Sequence, residues 1–321
     1  MGLSESEIMK AKGILKSMNL PITLKIFENS EDFSMDLKNF LSTLSDLSEK
    51  IRIESVKVNE IPYPGIALTE NIIYHAFPSE MEFDPFLRTL VRVSHQNSEL
   101  PDKIRGQLRN ISNVEIIVFV MPVCPHCAKV VEKVNQFAIE NPLIRVKIVD
   151  VSRFPEFGNK YEVMSAPTVV INENIKLVSP SEDELIKWIE QSENELEYFS
   201  KLLKDGQIDD VKSIIERDSE KAVILVELLK KPEINVRLGA ALLILRLIKE
   251  KEEIVENIKN KLKELLSEDN TNILQDAAMV LGKIGDKSDI EALKTLISSD
   301  NADVKEAAEE AIEEINSRNS E

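Results

Sequence analysis

The chain has 321 residues, which is long enough for two or three domains of ordinary size. With 43% apolar and 30% charged residues, its composition argues against a disordered or fibrous protein. The formal charge of −17 opposes a phosphate backbone, so we expect no nucleic-acid partner. No segment approaches about 18 uncharged apolar residues, and the first residues lack a signal-peptide pattern. These features predict no membrane partner and a cytoplasmic location.

Residues 1–96 carry the pattern of one α/β domain. Short runs of β-branched and aromatic residues predict strands, and amphipathic periodicity predicts helices. The predicted strands cover residues 22–27, 51–56, 66–68 and 72–75, and the predicted helices cover residues 35–47 and 81–93. The resulting order is βαβββα, with the last two strands close enough to form a hairpin.

Residues 97–192 repeat this order after a stretch at 97–113 that we predict to be a bridging helix. The predicted strands cover residues 115–120, 144–149, 168–171 and 175–178, and the predicted helices cover residues 125–140, 154–161 and 181–191. Ser181 is a suitable N-cap for the last helix. The first half is therefore an imperfect copy of the second, in which Phe27 corresponds to Phe119 and the Pro64 turn to the Pro167 turn.

Residues 193–321 show helical periodicity and no further strands. Paired alanines recur at residues 240–241, 277–278 and 307–308, and small residues of this kind allow neighbouring helices to approach closely. The segment VLGKIGD at residues 280–286 resembles the signature of short HEAT-like repeats. This resemblance implies an all-α solenoid whose concave surface binds a protein partner.

The only two cysteines of the chain form a C-x-x-C motif between a predicted strand and a predicted helix. At that junction Cys124 faces free backbone N–H groups and the positive end of the helix dipole, which favour thiolate over thiol. Pro125 suits the first helical position, and Cys127 comes onto the same face of the helix. The motif predicts thiol-disulfide exchange through a redox-active disulfide between the two cysteines, with no other cofactor.

Several neighbouring features allow more than one interpretation. His126 can stabilise a thiolate when it is protonated, or it can be an exposed spacer. Pro167 begins a strand, where either a cis or an ordinary trans peptide bond is possible. The two cysteines could also supply half of a zinc site, but no second pair of ligands follows in the sequence, so we predict no metal.

Three segments of the second half resemble a known family. FVMPVCPHCAKVV, RVKIVDVSRFP and YEVMSAPTVVIN resemble the C-terminal unit of archaeal-type protein disulfide oxidoreductases, which contain two fused thioredoxin folds. The resemblance extends over about residues 4–191. It implies that Cys124 is the nucleophile, that Cys127 is the resolving thiol, and that Pro167 is a cis proline beside which Ala166 offers backbone to a substrate peptide.

The chain departs from this family at two places. Residues Asp32 and Met35 stand where the first unit would carry its own C-x-x-C, so that unit contains no thiol. Val118 stands where thioredoxins proper carry a buried Asp, so a proton acceptor for Cys127 must come from elsewhere or be water.

These observations lead to two main hypotheses. The first is a thiol-disulfide oxidoreductase that acts on protein disulfides, receives electrons from a reductase or a small thiol, and binds a partner through its helical repeats. The second is an interaction scaffold in which the C-x-x-C is a redox sensor or a vestige. A dimer bridged by a metal at two copies of the motif is a third possibility.

Overall fold

The computed structural model describes residues 3–28, 32–57 and 63–318. The chain divides into two compact units, Met1–Ser192 and Glu193–Glu321. Among the described residues, no helix combines the length and the apolar composition that a membrane span requires.

The first unit is built on a single eight-stranded sheet. Its strands are β1 (Ile22–Glu28), β2 (Ile51–Lys57), β3 (Gly65–Thr69), β4 (Ile72–His75), β5 (Val114–Val120), β6 (Ile144–Asp150), β7 (Thr168–Ile171) and β8 (Ile175–Val178). They lie in the order β2-β1-β3-β4-β6-β5-β7-β8. The two βαβββ patterns therefore join edge to edge through β4 and β6, which pair in parallel.

Among the described residues of this unit, seven helices accompany the sheet. They are α1 (Glu5–Leu15), α2 (Asp32–Leu47), α3 (Phe83–His95), α4 (Asp102–Leu108), α5 (Pro125–Glu140), α6 (Pro155–Lys160) and α7 (Glu182–Glu190), and a 3-10 turn at Glu80–Glu82 leads into α3. Ser181 caps α7, as predicted, and accepts a hydrogen bond from the backbone of Glu184 at 3.2 Å.

One local prediction needs correction, and one helix was not predicted. The bridging helix predicted over residues 97–113 is confined to α4, because Pro101 has an extended conformation that helical residues do not adopt, and it stands immediately before the helix. Helix α1 was not predicted. Its signal is a capping box in which Ser4 and Glu7 bond each other's backbone N–H groups.

The proposed domain boundary at residue 96 stays a prediction, because both folds share one sheet.

The two folds of the first unit are also joined by their helices. Helix α3 of the first fold packs against α5 of the second. The guanidinium of Arg92, which is largely buried, lies 2.8 Å from the carboxylate of Glu132. The Asn135 amide donates a hydrogen bond of 2.6 Å to the Tyr74 hydroxyl. Helix α5 is thus held by the sheet and helix of the first fold.

The second unit contains only helices in its described part. They are α8 (Glu195–Lys204), α9 (Ile208–Arg217), α10 (Val223–Leu228), α11 (Ile234–Leu247), α12 (Val255–Leu265), α13 (Thr271–Ile284), α14 (Ile290–Ile297) and α15 (Ala302–Arg318). Helices α11, α13 and α15 contact one another in series. A Cβ atom on Gly282 would lie 2.8 Å from the backbone of Ala311, so glycine is required for this close approach.

The repeat signature at residues 280–286 ends in a buried ionic network. Asp286 caps the following turn, and both Asp286 and Asp289 bond the Lys259 ammonium, at 2.6 and 2.9 Å. Burial alone would lower the pKa of Lys259, but these carboxylates hold its pKa above the ordinary value. The Gly-Asp pair is therefore a structural element that ties α12 to the next helix pair.

Candidate active site

The two cysteines lie where a buried strand meets a helix. Strand β5 is buried along most of its length. Four residues separate its end from α5, which begins at Pro125. Cys124 is the N-cap, and its sulfur accepts a hydrogen bond from the backbone N–H of Cys127 at 3.4 Å. This contact satisfies one of the free donors at the helix N-terminus.

The two thiols have different environments. Both are free, but Cys124 is half-buried whereas Cys127 has no exposed surface. Burial raises the pKa of Cys127 to about 12, and the neighbouring Cys124 and the charge of Glu82 contribute to the rise. Cys127 therefore stays a thiol at neutral pH, and only Cys124 is accessible to a partner in solution.

The loop before β7 lies against the Cys124 sulfur. The Ala166-Pro167 peptide bond is cis, which is the isomer that the family resemblance implies. The Cys124 thiol donates to the Ala166 carbonyl oxygen at 3.7 Å. A hydrogen bond from the Thr168 hydroxyl to the Ser165 carbonyl, 2.7 Å long, holds the loop in place. The structure thus brings the predicted Ala166-Pro167 peptide to the Cys124 sulfur. The role of these two residues in binding substrate stays a prediction.

The surface around Cys124 is apolar. Met121, Val123 and Met164 are 42%, 64% and 93% exposed, and they flank the two segments that meet at the sulfur. His126 is also exposed, and in the described part of the chain its ring has no hydrogen-bond partner. Its stabilising effect on a thiolate stays a prediction. The methionines and the valine form an apolar rim that the sequence analysis did not identify.

Glu82 is a further residue that the sequence analysis missed. Its side chain is 1% exposed, and neither carboxylate oxygen has a hydrogen-bond partner among the described residues. Burial raises its pKa to about 8, and its charge in turn raises the pKa of Cys127. A sequence signal exists, because Glu82 lies four residues before the buried Phe86 and so falls on the apolar face of the helix.

The corresponding place in the first fold has no comparable chemistry. Asp32 is the first residue of α2, and Met35, one turn later, is 66% exposed. The Pro64 carbonyl accepts a hydrogen bond from the buried His75 ring at 3.1 Å. Ala166-Pro167 is the one cis peptide bond of the described residues, so the Pro64 turn has a trans bond instead.

No metal site is apparent in residues 3–28, 32–57 and 63–318, where no three His, Cys, Asp or Glu side chains are grouped to hold an ion. A metal bound by Cys124 and Cys127 would need ligands from a second chain.

The protein thus belongs to the class of dithiol proteins with a thioredoxin-like fold. The thioredoxin domain family matches residues 114–190, and HEAT repeats match residues 222–313. Thioredoxin of Methanocaldococcus jannaschii is 31% identical over 83 residues, which are 25% of this chain and 98% of that protein. The chain therefore belongs to the thioredoxin family through this domain, and it carries HEAT repeats in addition.

Other relatives match over longer stretches of the chain. An NADH dehydrogenase of Bacillus subtilis is 24% identical over 155 residues, which are 47% of this chain and 30% of that protein. The chain thus spans less than a third of the length of the curated relatives it first matches. A protein disulfide oxidoreductase from Aeropyrum pernix K1 superposes with a TM-score of 0.56 at 20% identity, over 60% of this chain and 94% of that one. The predicted fold class, tandem thioredoxin-like folds followed by helical repeats, is confirmed.

Proposed function

We propose that the protein is a thiol-disulfide oxidoreductase that acts on protein disulfides through Cys124 and Cys127, with its helical repeats binding a partner. The observation that carries this proposal is the asymmetry of the two sulfurs. One is accessible at a helix N-terminus and lies 3.7 Å from the Ala166 carbonyl, whereas the other is buried one helical turn away.

In the first step the Cys124 thiolate attacks one sulfur of a substrate disulfide. A Cys124-substrate disulfide forms, the substrate disulfide breaks, and the other substrate sulfur leaves as a thiolate. The free N–H groups at the start of α5 stabilise the attacking thiolate before this step. A substrate backbone can lie beside Ala166, whose carbonyl is close to the reacting sulfur.

In the second step Cys127 resolves the mixed disulfide. Its thiol must first lose a proton. We assign the acceptor to Glu82, whose carboxylate is buried in the turn that packs against α5 and has no hydrogen-bond partner among the described residues. The Cys127 thiolate then attacks the Cys124 sulfur, and the second substrate sulfur leaves as a thiolate. Glu82 has a pKa of about 8, which is near the working pH and therefore suits a general base.

The cycle closes when a dithiol or two thiol molecules reduce the Cys124-Cys127 disulfide. The donor is a reductase or a small thiol, and it supplies two electrons and two protons. A cytoplasmic location fits this role, because reduced thiols are maintained there and the chain has no further cysteines for structural disulfides.

The apolar rim of Met121, Val123 and Met164 favours a protein substrate over a small one. Methionine side chains adapt to differently shaped apolar surfaces, and an exposed apolar patch is typical of a protein-binding site. We therefore assign the rim to contacts with the chain that carries the disulfide.

Reduction of insulin by dithiothreitol tests the proposal. The wild-type chain should accelerate precipitation of the insulin B chain, and Cys124→Ser should reduce the rate to that of dithiothreitol alone. Equal rates for the two proteins would instead favour a scaffold with a vestigial motif. Stoichiometric metal in anaerobically purified protein would favour a metal-bridged dimer.

A further inference from the structure

Helix α11 of the second unit has an apolar stripe on its exposed side. Ile234, Leu238 and Leu242 are 60%, 50% and 60% exposed, and their spacing of four residues places them along one face. The opposite side of the helix is also apolar and is buried. Three large apolar side chains in line on the exposed side of a helix are normally covered, so this stripe lacks a partner in the described chain.

The stripe continues onto the neighbouring helix. The paired alanines of α11 and α13 occupy equivalent places, so Leu242 corresponds to Met279, which is 41% exposed. An ion pair of 2.7 Å between Arg237 and Asp276 ties the two helices together beside these residues. The exposed leucines and Met279 therefore belong to one apolar surface.

Beyond Met279 the surface becomes acidic. A groove of about 420 Å³ lies between α13 and α15 and is lined by Gln275, Asp276, Met279, Asp303, Glu306, Ala307 and Glu310. Asp276 is paired with Arg237, whereas Asp303, Glu306 and Glu310 have no basic partner in the described part of the chain. An apolar stripe thus borders a row of unpaired carboxylates.

We propose that the exposed face of α11, α13 and α15 binds a basic amphipathic helix of a partner protein. The apolar side of that helix would pack on Leu238, Leu242 and Met279, and its Lys or Arg side chains would lie over Glu306 and Glu310. This assignment rests on the proposed function, in which the repeats bind a partner, and it specifies the chemistry of that partner.

The dimensions and the charges of the face agree with such an occupant. Three helices packed about 8 to 10 Å apart span about 20 Å, which a helix of about 14 residues covers. The leucines and Met279 would provide most of the affinity through burial, and the carboxylates would set the orientation and exclude acidic partners. Helix-in-groove recognition commonly combines these two contributions.

The direct test measures binding of synthetic helices to the full chain by fluorescence anisotropy. The first probe is a labelled peptide with Leu on one helical face and Lys on the other. The second has Glu in place of Lys, and the third has the composition of the first in scrambled order. The first probe alone should bind, and its affinity should fall as salt is raised.

Variants of the chain then locate the site. Leu238→Ser combined with Leu242→Ser should weaken binding about tenfold or more, and Glu306→Gln combined with Glu310→Gln should weaken it several-fold. Glu264→Gln combined with Glu291→Gln removes the same charge from α12 and α14, away from the groove, and should leave the affinity within about twofold of wild type. Thermal unfolding of each variant confirms that it is folded.

The proposal would be overturned if the Glu306→Gln, Glu310→Gln variant and the charge-matched control lost the same affinity for the first peptide. Binding of the scrambled peptide with the affinity of the first would also overturn it. Alkylation of Cys124 is measured on the same variants and should be unchanged. Because binding and thiol reactivity are read separately, loss of insulin reduction would refute the proposed chemistry and leave the docking result standing.

Discussion

The two thioredoxin-like folds of the first unit share their topology but not their chemistry. The second fold has an accessible thiol, a buried thiol and a carbonyl oxygen 3.7 Å from the Cys124 sulfur. The first fold has an exposed Met35 at the matching helix and no thiol. It contributes instead through its other end, where α3 and the turn before it pack against α5.

This difference shows how a fold that carries no thiol can still support the dithiol of its neighbour. Glu82 belongs to the first fold, yet its charge acts on Cys127 of the second. Tyr74 of the first fold likewise accepts a hydrogen bond from Asn135 on α5. The first fold is therefore a support for α5 and the source of a buried acid that Val118 does not provide.

The largest expected effect comes from Cys127, to which we assign the resolving role. Cys127→Ser should lower turnover of insulin by about two orders of magnitude or more, because the mixed disulfide on Cys124 cannot be resolved. With Ellman's reagent the wild type should release two thionitrobenzoate ions per chain, whereas this variant should release one and retain the other. If the variant released two thionitrobenzoate ions per chain, a group other than Cys127 would have the resolving role.

Because Glu82 of the first fold is a buried acid, the free energy of unfolding should depend on pH. The pKa of Glu82 rises from its ordinary value of 4.5 to about 8 on folding, so the folded chain holds a proton that the unfolded chain loses in this range. The free energy of unfolding should therefore fall as pH rises from 4.5 to 8. Glu82→Gln should remove this dependence and stabilise the protein by a few kcal/mol at pH 8 but little at pH 5.

Urea unfolding at both pH values measures the effect. Glu80→Gln is the matched control, because Glu80 lies in the same turn and is exposed. An equal gain for both variants, or a gain that is the same at pH 5 and pH 8, would show that Glu82 is not held protonated by burial.

The same substitution should slow the resolving step. In Glu82→Gln the proton of Cys127 has no carboxylate to accept it, so the second release of thionitrobenzoate should be about ten- to a hundredfold slower, while the first is unchanged. In the wild type this second phase should accelerate as pH rises through about 8, where Glu82 ionises. Stopped-flow absorbance resolves the two phases. If Glu80→Gln slows the second phase as much, the carboxylate at residue 82 has no special role.

The smallest effect should come from the hydrogen bond between the folds. Tyr74→Phe removes the hydroxyl that accepts from Asn135 at 2.6 Å and should destabilise the chain by about 1 kcal/mol. The alkylation rate of Cys124 should stay at its wild-type value, since the hydroxyl does not contact either sulfur. A large change in that rate would mean that the interface between the folds tunes the thiol directly.

Much of this architecture could be predicted from the sequence, because its signals are local. Short runs of β-branched and aromatic residues predicted each of the eight described strands, and the junction of strand and helix predicted Cys124 at a helix N-terminus. The cis isomer of Pro167 came from the family resemblance, since local sequence allowed either isomer.

The features that could not be predicted from the sequence depend on contacts between residues that are far apart in the chain. Pairing of β4 with β6 joins strands from different folds, and periodicity within either strand contains no information about its neighbour. The spacing of Glu82 from Phe86 indicates the apolar side of a helix, but it does not show that α5 of the second fold covers the carboxylate. The apolar rim around Cys124 likewise combines residues from two loops that meet in space.

Competition of the two thiols for iodoacetamide tests the central claim most directly. The reduced chain is treated at pH 7 for a series of times, and alkylation at each cysteine is quantified by peptide mass spectrometry. The account predicts that Cys124 reacts much faster than Cys127, because the first sulfur is accessible and the pKa of the second is raised to about 12. Equal and slow alkylation at both positions would contradict it.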